Sequence, residues 1–235
     1  MIIAGLQKTT LIDYPGKLAC IVFLAVCNFR CPWCYSSELV LPIKIAKQPR
    51  LVEKDFFDFL RQRKDLLEGV VICGGEPTVN KDLPQFLQKI KNLGFLVKLD
   101  TNGSNPEMLK NLVEQNLIDY VATDIKSSIN NPIYQNILLE GIKIEDIQKS
   151  VEFLKKSNID FEFRTTVVNS IHKKQEFLEI ADWIGGENIK YYLQNFVPTK
   201  TIDPEFEKIK PFQKEFLQEI VKEISPKFKI CEIRS

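Results

Sequence analysis

What most narrows the fold of this chain is an alternation, sustained almost from end to end, between short apolar runs and amphipathic helical patterns. The runs predicted as strands are Leu18 to Leu24, Gly69 to Cys73, Phe95 to Asp100, Tyr120 to Asp124, Phe161 to Val168 and Lys190 to Phe196, with a seventh from Lys227 to Ile233. Between them, Leu83, Phe86, Leu87 and Ile90 fall at i, i+3, i+4 and i+7, the stripe of a helix that packs one face on a sheet. Ile147, Val151 and Leu154 repeat that spacing, and Phe212, Phe216, Ile220 and Ile224 mark a last helix. Asn105 followed by Pro106 is a good cap and first-turn pair, so a helix is predicted from there toward Gln115. Repeated βα units of this kind predict an α/β protein with a parallel sheet and outer helices. Six repeats are too few for a closed eightfold barrel and suit a partial, open (β/α)6 TIM-like barrel. A single domain over 1–235 is expected, with a core at about 18–196, an N-terminal extension at 1–17 and a C-terminal helix and strand at 204–235.

Ligands of such folds collect beyond the carboxyl ends of the strands. The unusual motifs of this chain fall there. Cys27, Cys31 and Cys34 follow the first strand, Gly74-Gly75-Glu76-Pro77 the second and Asp100-Thr101-Asn102-Gly103 the third, while Asp124-Ile125-Lys126 ends the fourth. Ser127 to Gly141 has no clear period and is predicted as a long loop over the mouth of the barrel. The C-x3-C-x2-C spacing is one ligand short of the four cysteines that usually hold a cubane iron-sulfur cluster, so one iron would stay open to a small molecule. A structural zinc site needs four protein ligands, usually in two well-separated pairs. The chain's one histidine, His172, stands far along the sequence, at the opening of a predicted helix, so zinc is not expected.

Composition removes other classes. Lysine and arginine number 32 against 31 acidic residues, which gives no electrostatic footprint for nucleic acid or anionic lipid. No apolar run approaches the roughly 20 residues that span a bilayer, so no membrane role is expected. The N-terminus lacks a charged and apolar leader, and a cytoplasmic location is expected. Six cysteines in a long chain without such a leader do not imply a disulfide framework; Cys20, Cys73 and Cys231 are read as small buried hydrophobes on strands.

These motifs, in this order, resemble the radical S-adenosylmethionine (radical SAM) superfamily and its glycyl-radical-enzyme activases, in the longer form that serves anaerobic ribonucleoside-triphosphate reductase. The resemblance runs through Gly5 to Lys17, the cysteine triplet, Gly74 to Thr78, Lys98 to Ser104, Asp119 to Lys126 and Tyr192 to Phe196. It implies one 4Fe-4S cluster held by Cys27, Cys31 and Cys34, with SAM chelating the open iron. It also implies reductive cleavage of SAM to methionine and a 5'-deoxyadenosyl radical, which takes a hydrogen atom from a glycine of a partner enzyme. A flavodoxin- or ferredoxin-like reductant and a glycyl radical enzyme are the implied partners.

Several residues gain SAM-binding roles from the resemblance, each beside a plainer reading. Gly74 and Gly75 let the methionyl end approach the backbone, and Glu76 suits the SAM ammonium; a strand-to-helix turn explains the glycines alone. Trp33 matches an aromatic position near adenine, or shields the cluster from water. Asp100, Thr101 and Asn102 suit ribose hydroxyls or a small monovalent cation by the SAM carboxylate, or form a short Asx turn. Asp124 and Lys126, two apart on a strand end, hold opposite ends of SAM or pair with each other. Arg164, inside an apolar strand, needs an anion, either SAM or a nearby Asp. Gln194 is a candidate adenine contact. The chain departs from the activases at Ala25-Val26, where a glycine is usual, at Tyr35-Ser36-Ser37 in place of His-Asn, and at Cys73 in place of serine. Two other functions remain open: a radical SAM enzyme acting on a small molecule or peptide, similar to the carboxy-deazaguanine synthases, and a non-catalytic metal-binding scaffold.

Overall fold

A computed structural model describes residues 1–234. Its framework is one eight-stranded sheet in sequential order: β1 (Ile3–Thr10), β2 (Ala19–Leu24), β3 (Gly69–Gly74), β4 (Leu96–Thr101), β5 (Tyr120–Asp124), β6 (Asp160–Val167), β7 (Gly186–Asn195) and β8 (Phe228–Arg234). From β2 to β8 every pairing is parallel, while β1 runs antiparallel to β2. The sheet therefore curls into an open barrel whose two edges are β1 and β8.

The helices form because each has one apolar stripe to bury. α3 (Glu53–Gln62), α4 (Leu83–Asn92), α5 (Pro106–Glu114), α7 (Ile144–Lys156), α8 (Lys174–Ile184) and α9 (Lys214–Ile224) supply the outer layer, with short α1 (Ser37–Val40), α2 (Pro42–Ile45) and α6 (Ile133–Ile137) in the loops. In α4 the expected residues Leu83, Phe86, Leu87 and Ile90 are all buried, each contributing about 1.5–3 kcal/mol of transfer free energy. Asn105 caps α5, its side chain accepting from the Met108 amide at 3.2 Å. Among the described residues no helix is long and apolar enough to cross a membrane.

The structure refines several expectations. Within the N-terminal extension, Ile3–Thr10 forms the antiparallel edge strand of the sheet. The final apolar run, expected as a seventh strand, is a full parallel member of the sheet beside β7. The stretch after β5 is not all loop: α6 forms in it, and Leu138 bridges Phe29 in the cysteine segment. Phe212 precedes α9 and stacks on Phe216 with ring centroids 4.9 Å apart, and Leu217 takes the buried position in that turn. His172 lies two residues before α8 rather than opening it.

Candidate functional site: a cysteine-lined cavity at the strand ends

A cavity of about 490 Å³ fills the lumen at the carboxyl ends of the strands. Cys27, Cys31, Cys34, Trp33, Gly74, Gly75, Asp100, Thr101, Asn102, Asp124, Lys126, Arg164 and Gln194 all line it. Of the expected site residues, Glu76 alone does not.

Glu76 is turned inward. Its Oε1 accepts from the Thr78 amide (3.0 Å), the Thr78 hydroxyl (2.6 Å) and the Thr101 hydroxyl (2.7 Å), and its Oε2 accepts from the Asn102 amide at 2.6 Å. Burial raises its pKa and these donors oppose that rise. Its carboxylate thus staples the turn after β3 to the end of β4. The glycines answer to a similar demand. A Cβ on Gly74, whose φ is +127°, would sit 2.2 Å from the Leu24 carbonyl oxygen, and one on Gly75 would sit 2.2 Å from that of Val26. The chain leading into the cysteine segment crosses here, its Leu24 and Val26 carbonyls accepting from the Gly75 and Glu76 amides at 2.8 and 2.7 Å. Val26, where the activases usually carry glycine, has φ +79°; a β-branched residue there stores about 1–3 kcal/mol.

The Asx turn is present. Asn102 Oδ1 accepts from the Ser104 amide (3.0 Å) and hydroxyl (2.6 Å). The Asn102 side-chain amide donates to Asn28 Oδ1 at 2.9 Å, and Asn28 Nδ2 donates to Ser104 Oγ at 2.7 Å. Asn28 therefore fastens the cysteine segment to the β4 exit. Nothing local in the sequence marked it, because both partners lie more than seventy residues away.

Charged residues form a ladder across the lumen. Lys98 pairs with Asp100, Asp100 with Arg164 (3.1 Å), Arg164 with Asp124 (3.0 Å) and Asp124 with Lys126 (3.1 Å). Of the two anions open to Arg164, the nearby Asp is present twice over, as Asp100 and Asp124. Burial alone would raise the Asp124 pKa, yet Lys126 and Arg164 hold it down at about 2. Burial likewise opposes the charge on Lys126, and Asp124 and Cys31 outweigh it. Three cations face two carboxylates, so the ladder keeps one positive charge that suits an added anion.

Lys126 is positioned through its backbone. Its amide donates to the Tyr134 hydroxyl at 3.0 Å, and its carbonyl oxygen meets His172 Nε2 at 3.0 Å. Because the Val168 amide donates to His172 Nδ1, the network assigns the ring proton to Nε2. Burial lowers the pKa of this histidine, and both its nitrogens are engaged within the protein. Glu176 anchors the next residues, accepting from Ser127 Oγ (2.5 Å), the Ser128 amide (2.6 Å) and Asn131 Nδ2 (2.8 Å).

The cysteines fit an iron-sulfur cluster. Burial pushes the Cys27 and Cys31 thiols up to about 12 and raises Cys34, while Lys126 pulls all three down. Ligation must then expel protons. The Phe29 amide already donates to Cys27 Sγ at 3.3 Å. Among the described residues no three Cys, His, Asp or Glu side chains converge on one metal ion; a cubane, with a separate iron for each cysteine, does not require it. Trp33 is buried against Phe206, with ring centroids 6.2 Å apart, so it both walls the cavity and seals the cysteine segment. Cys73, expected as a plain core residue, lines the lumen instead, as does Thr166.

Known proteins agree with this geometry. Residues 21–184 match the model of the Radical SAM superfamily. The chain is 34% identical over 219 residues to a Methanocaldococcus jannaschii protein provisionally named as a glycyl-radical enzyme activating enzyme, covering 91% of this chain and 87% of that one. It is 28% identical over 128 residues to a 7-carboxy-7-deazaguanine synthase of Thermococcus kodakarensis, covering 47% of this chain and 50% of that enzyme. Among solved structures, Streptococcus suis SuiB bound to S-adenosylmethionine matches with a TM-score of 0.64 at 16% identity, over 92% of this chain and 52% of its own, a likeness of fold. By its matched model, its full-length relative and its three-cysteine cavity, the chain belongs to the radical SAM superfamily, which implies a 4Fe-4S cluster and SAM.

Proposed function

We propose that the protein is an activase: it uses SAM to take a hydrogen atom from a glycine of a glycyl radical enzyme. When bound, a 4Fe-4S cluster on Cys27, Cys31 and Cys34 supplies one electron to SAM, giving methionine and a 5'-deoxyadenosyl radical that removes the hydrogen atom. The observation that carries this reading is the ladder's surplus cation beside three cysteines on one cavity. Lys126 and Arg164 hold the SAM carboxylate through charge-assisted hydrogen bonds. Asp100 and Asp124 turn carboxylate oxygens toward the ribose, the ammonium or a monovalent cation, and Trp33 and Gln194 line the place for adenine. Glu76, Thr101, Asn102 and Asn28 keep the three motifs in register without needing to touch SAM. The similarity to an activating enzyme over 91% of this chain supports a protein substrate; a ribonucleotide reductase is the proposed partner, with a flavodoxin- or ferredoxin-like reductant.

After anaerobic reconstitution, chemical reduction with SAM should release 5'-deoxyadenosine, and a co-expressed partner should show a glycine-centred radical by electron paramagnetic resonance. Release of no 5'-deoxyadenosine from fully reconstituted protein would sink the SAM chemistry. A second reading, action on a small ring substrate, is supported by the likeness of about half the chain to the deazaguanine synthase. Turnover without any partner protein would favour it.

A further inference from the structure

Three segments bracket the cysteine loop by backbone hydrogen bonds. Ile137 accepts from the Arg30 amide (2.7 Å), Ile202 donates to the Cys34 carbonyl (2.9 Å), and Leu39 accepts from the Val26 amide (2.8 Å). Their charges differ. Residues 133–142 carry a single carboxylate, Glu140, and residues 199–208 carry two lysines against three carboxylates. Residues 36–50 instead carry Lys44, Lys47 and Arg50 against Glu38, and no acidic residue stands between Leu39 and Val52. The whole chain is almost neutral, so this is a local excess. All three cations are exposed, and among the described residues neither Lys47 nor Arg50 has an ion-pair partner.

Apolar side chains are exposed on this stretch and at both ends of the cysteine loop. Val26 and Tyr35 flank the cysteine loop in sequence, and Ile43, 76% exposed, stands beside Lys44. Exposed apolar groups and unpaired cations within a few residues of one another along the chain have the composition of a docking rim. It also lies close to the cysteines. Lys44 Nζ donates to Ser37 Oγ at 2.8 Å, and the three residues from Cys34 to Ser37 span at most about 11 Å.

We propose that residues 36–50, with Val26 and Tyr35, form the docking face for an acidic one-electron carrier protein that reduces the site. This rests on the reading that the cysteines hold a reducible cluster. In the step served, one electron leaves the reduced carrier and enters the oxidised cluster, with no proton or group transferred. Charge complementarity selects the occupant: an acidic carrier is steered to a cationic patch, and steering of that kind changes association rates by 10- to 1,000-fold at low salt. The face also gives the departures at Val26 and Tyr35 a role, since both put apolar surface where a carrier would seat.

The test compares reduction by protein and by chemical donors. Lys44→Glu/Lys47→Glu/Arg50→Glu should slow cluster reduction by an acidic flavodoxin at least tenfold at low ionic strength, weaken its binding by calorimetry to the same degree, and flatten the salt dependence. Reduction by a small chemical reductant, and the 5'-deoxyadenosine it yields, should stay at the unmodified level. The double variant Lys47→Gln/Arg50→Gln, which removes no ion pair, should fall between. Reversal of Lys110, Lys149 and Lys156 on α5 and α7 should leave carrier binding and reduction unchanged. Unchanged flavodoxin binding and reduction in the triple variant, or an equal loss in the α5 and α7 control, overturns the docking face. Failure of chemical reduction to yield 5'-deoxyadenosine in the unmodified protein would instead overturn the SAM reading.

Discussion

Two levels of the same lumen bury charge in different ways. One pleat repeat below Arg164 on β6, the fully buried Glu162 is matched by Arg234, at 2.5 and 2.8 Å, and by the Tyr120 hydroxyl at 2.9 Å. Arg234 also lies 3.4 Å above the Tyr192 ring, and Tyr14 packs on Tyr120 with centroids 6.1 Å apart. Every charge there has a partner, and aromatic rings fill the remaining space. The upper level, from Lys98 to Lys126, is also fully hydrogen-bonded, yet it keeps an unmatched cation and opens on the cavity. Burial of charge is therefore common to structure and function in this barrel; what marks the site is imbalance beside free volume.

That contrast can be broken by experiment. The largest effect is expected from Cys31→Ala, which should abolish cluster loading and 5'-deoxyadenosine release, whereas Cys20→Ala, on the outer face of β2, should keep both; iron content and product assay separate them. Next, Arg234→Ala leaves Glu162 buried without its cation. It should lower stability by up to about 3 kcal/mol, the low end of the range for a broken buried pair because Arg234 is a third exposed, with SAM affinity little changed. Lys126→Gln should do the reverse, weakening SAM binding by about 10- to 100-fold, the worth of one charge-assisted hydrogen bond, with a small change in melting temperature. If calorimetry and melting assign these two effects the other way round, the division into a structural and a functional level is wrong.

The smallest effect concerns the clamp on the β5 exit. Burial works against ionised Glu176, but its bonds to Ser127, Asn131 and Ser128 hold its pKa below the usual carboxylate value. A depressed carboxylate contributes stability above its unfolded pKa, near 4.3, and loses it as pH falls through the folded value. Glu176→Gln should accordingly cost about 1 kcal/mol at pH 7 and progressively less toward pH 3. An equal cost at both pH values in thermal melts would show that its charge plays no part.

Parallel strands were legible because burial on both faces leaves them almost continuously apolar, as in Val70-Val71-Ile72. β1 was not, since an edge strand buries little: Gln7, Lys8 and Thr9 are exposed and Gly5 interrupts the pattern. The motif residues were legible by their position after strands, but their partners within the protein were not. Gly-Gly-Glu-Pro reads the same whether the carboxylate faces a ligand or, as here, Thr101 and Asn102 on the next strand. Asn28, His172 and Glu176 left no local trace because each bonds groups from a distant part of the chain.

The ties that bracket the cysteine loop are all chain to chain, through Ile137, Ile202 and Leu39, with Asn28 adding a fourth anchor. Small zinc modules collapse when their metal is stripped, because the metal is their core. Here the fold rests on a large apolar core behind the sheet, and the cysteines are guests of an already braced loop. Loss of the cluster should then leave the polypeptide folded, with a melting temperature close to that of the loaded protein.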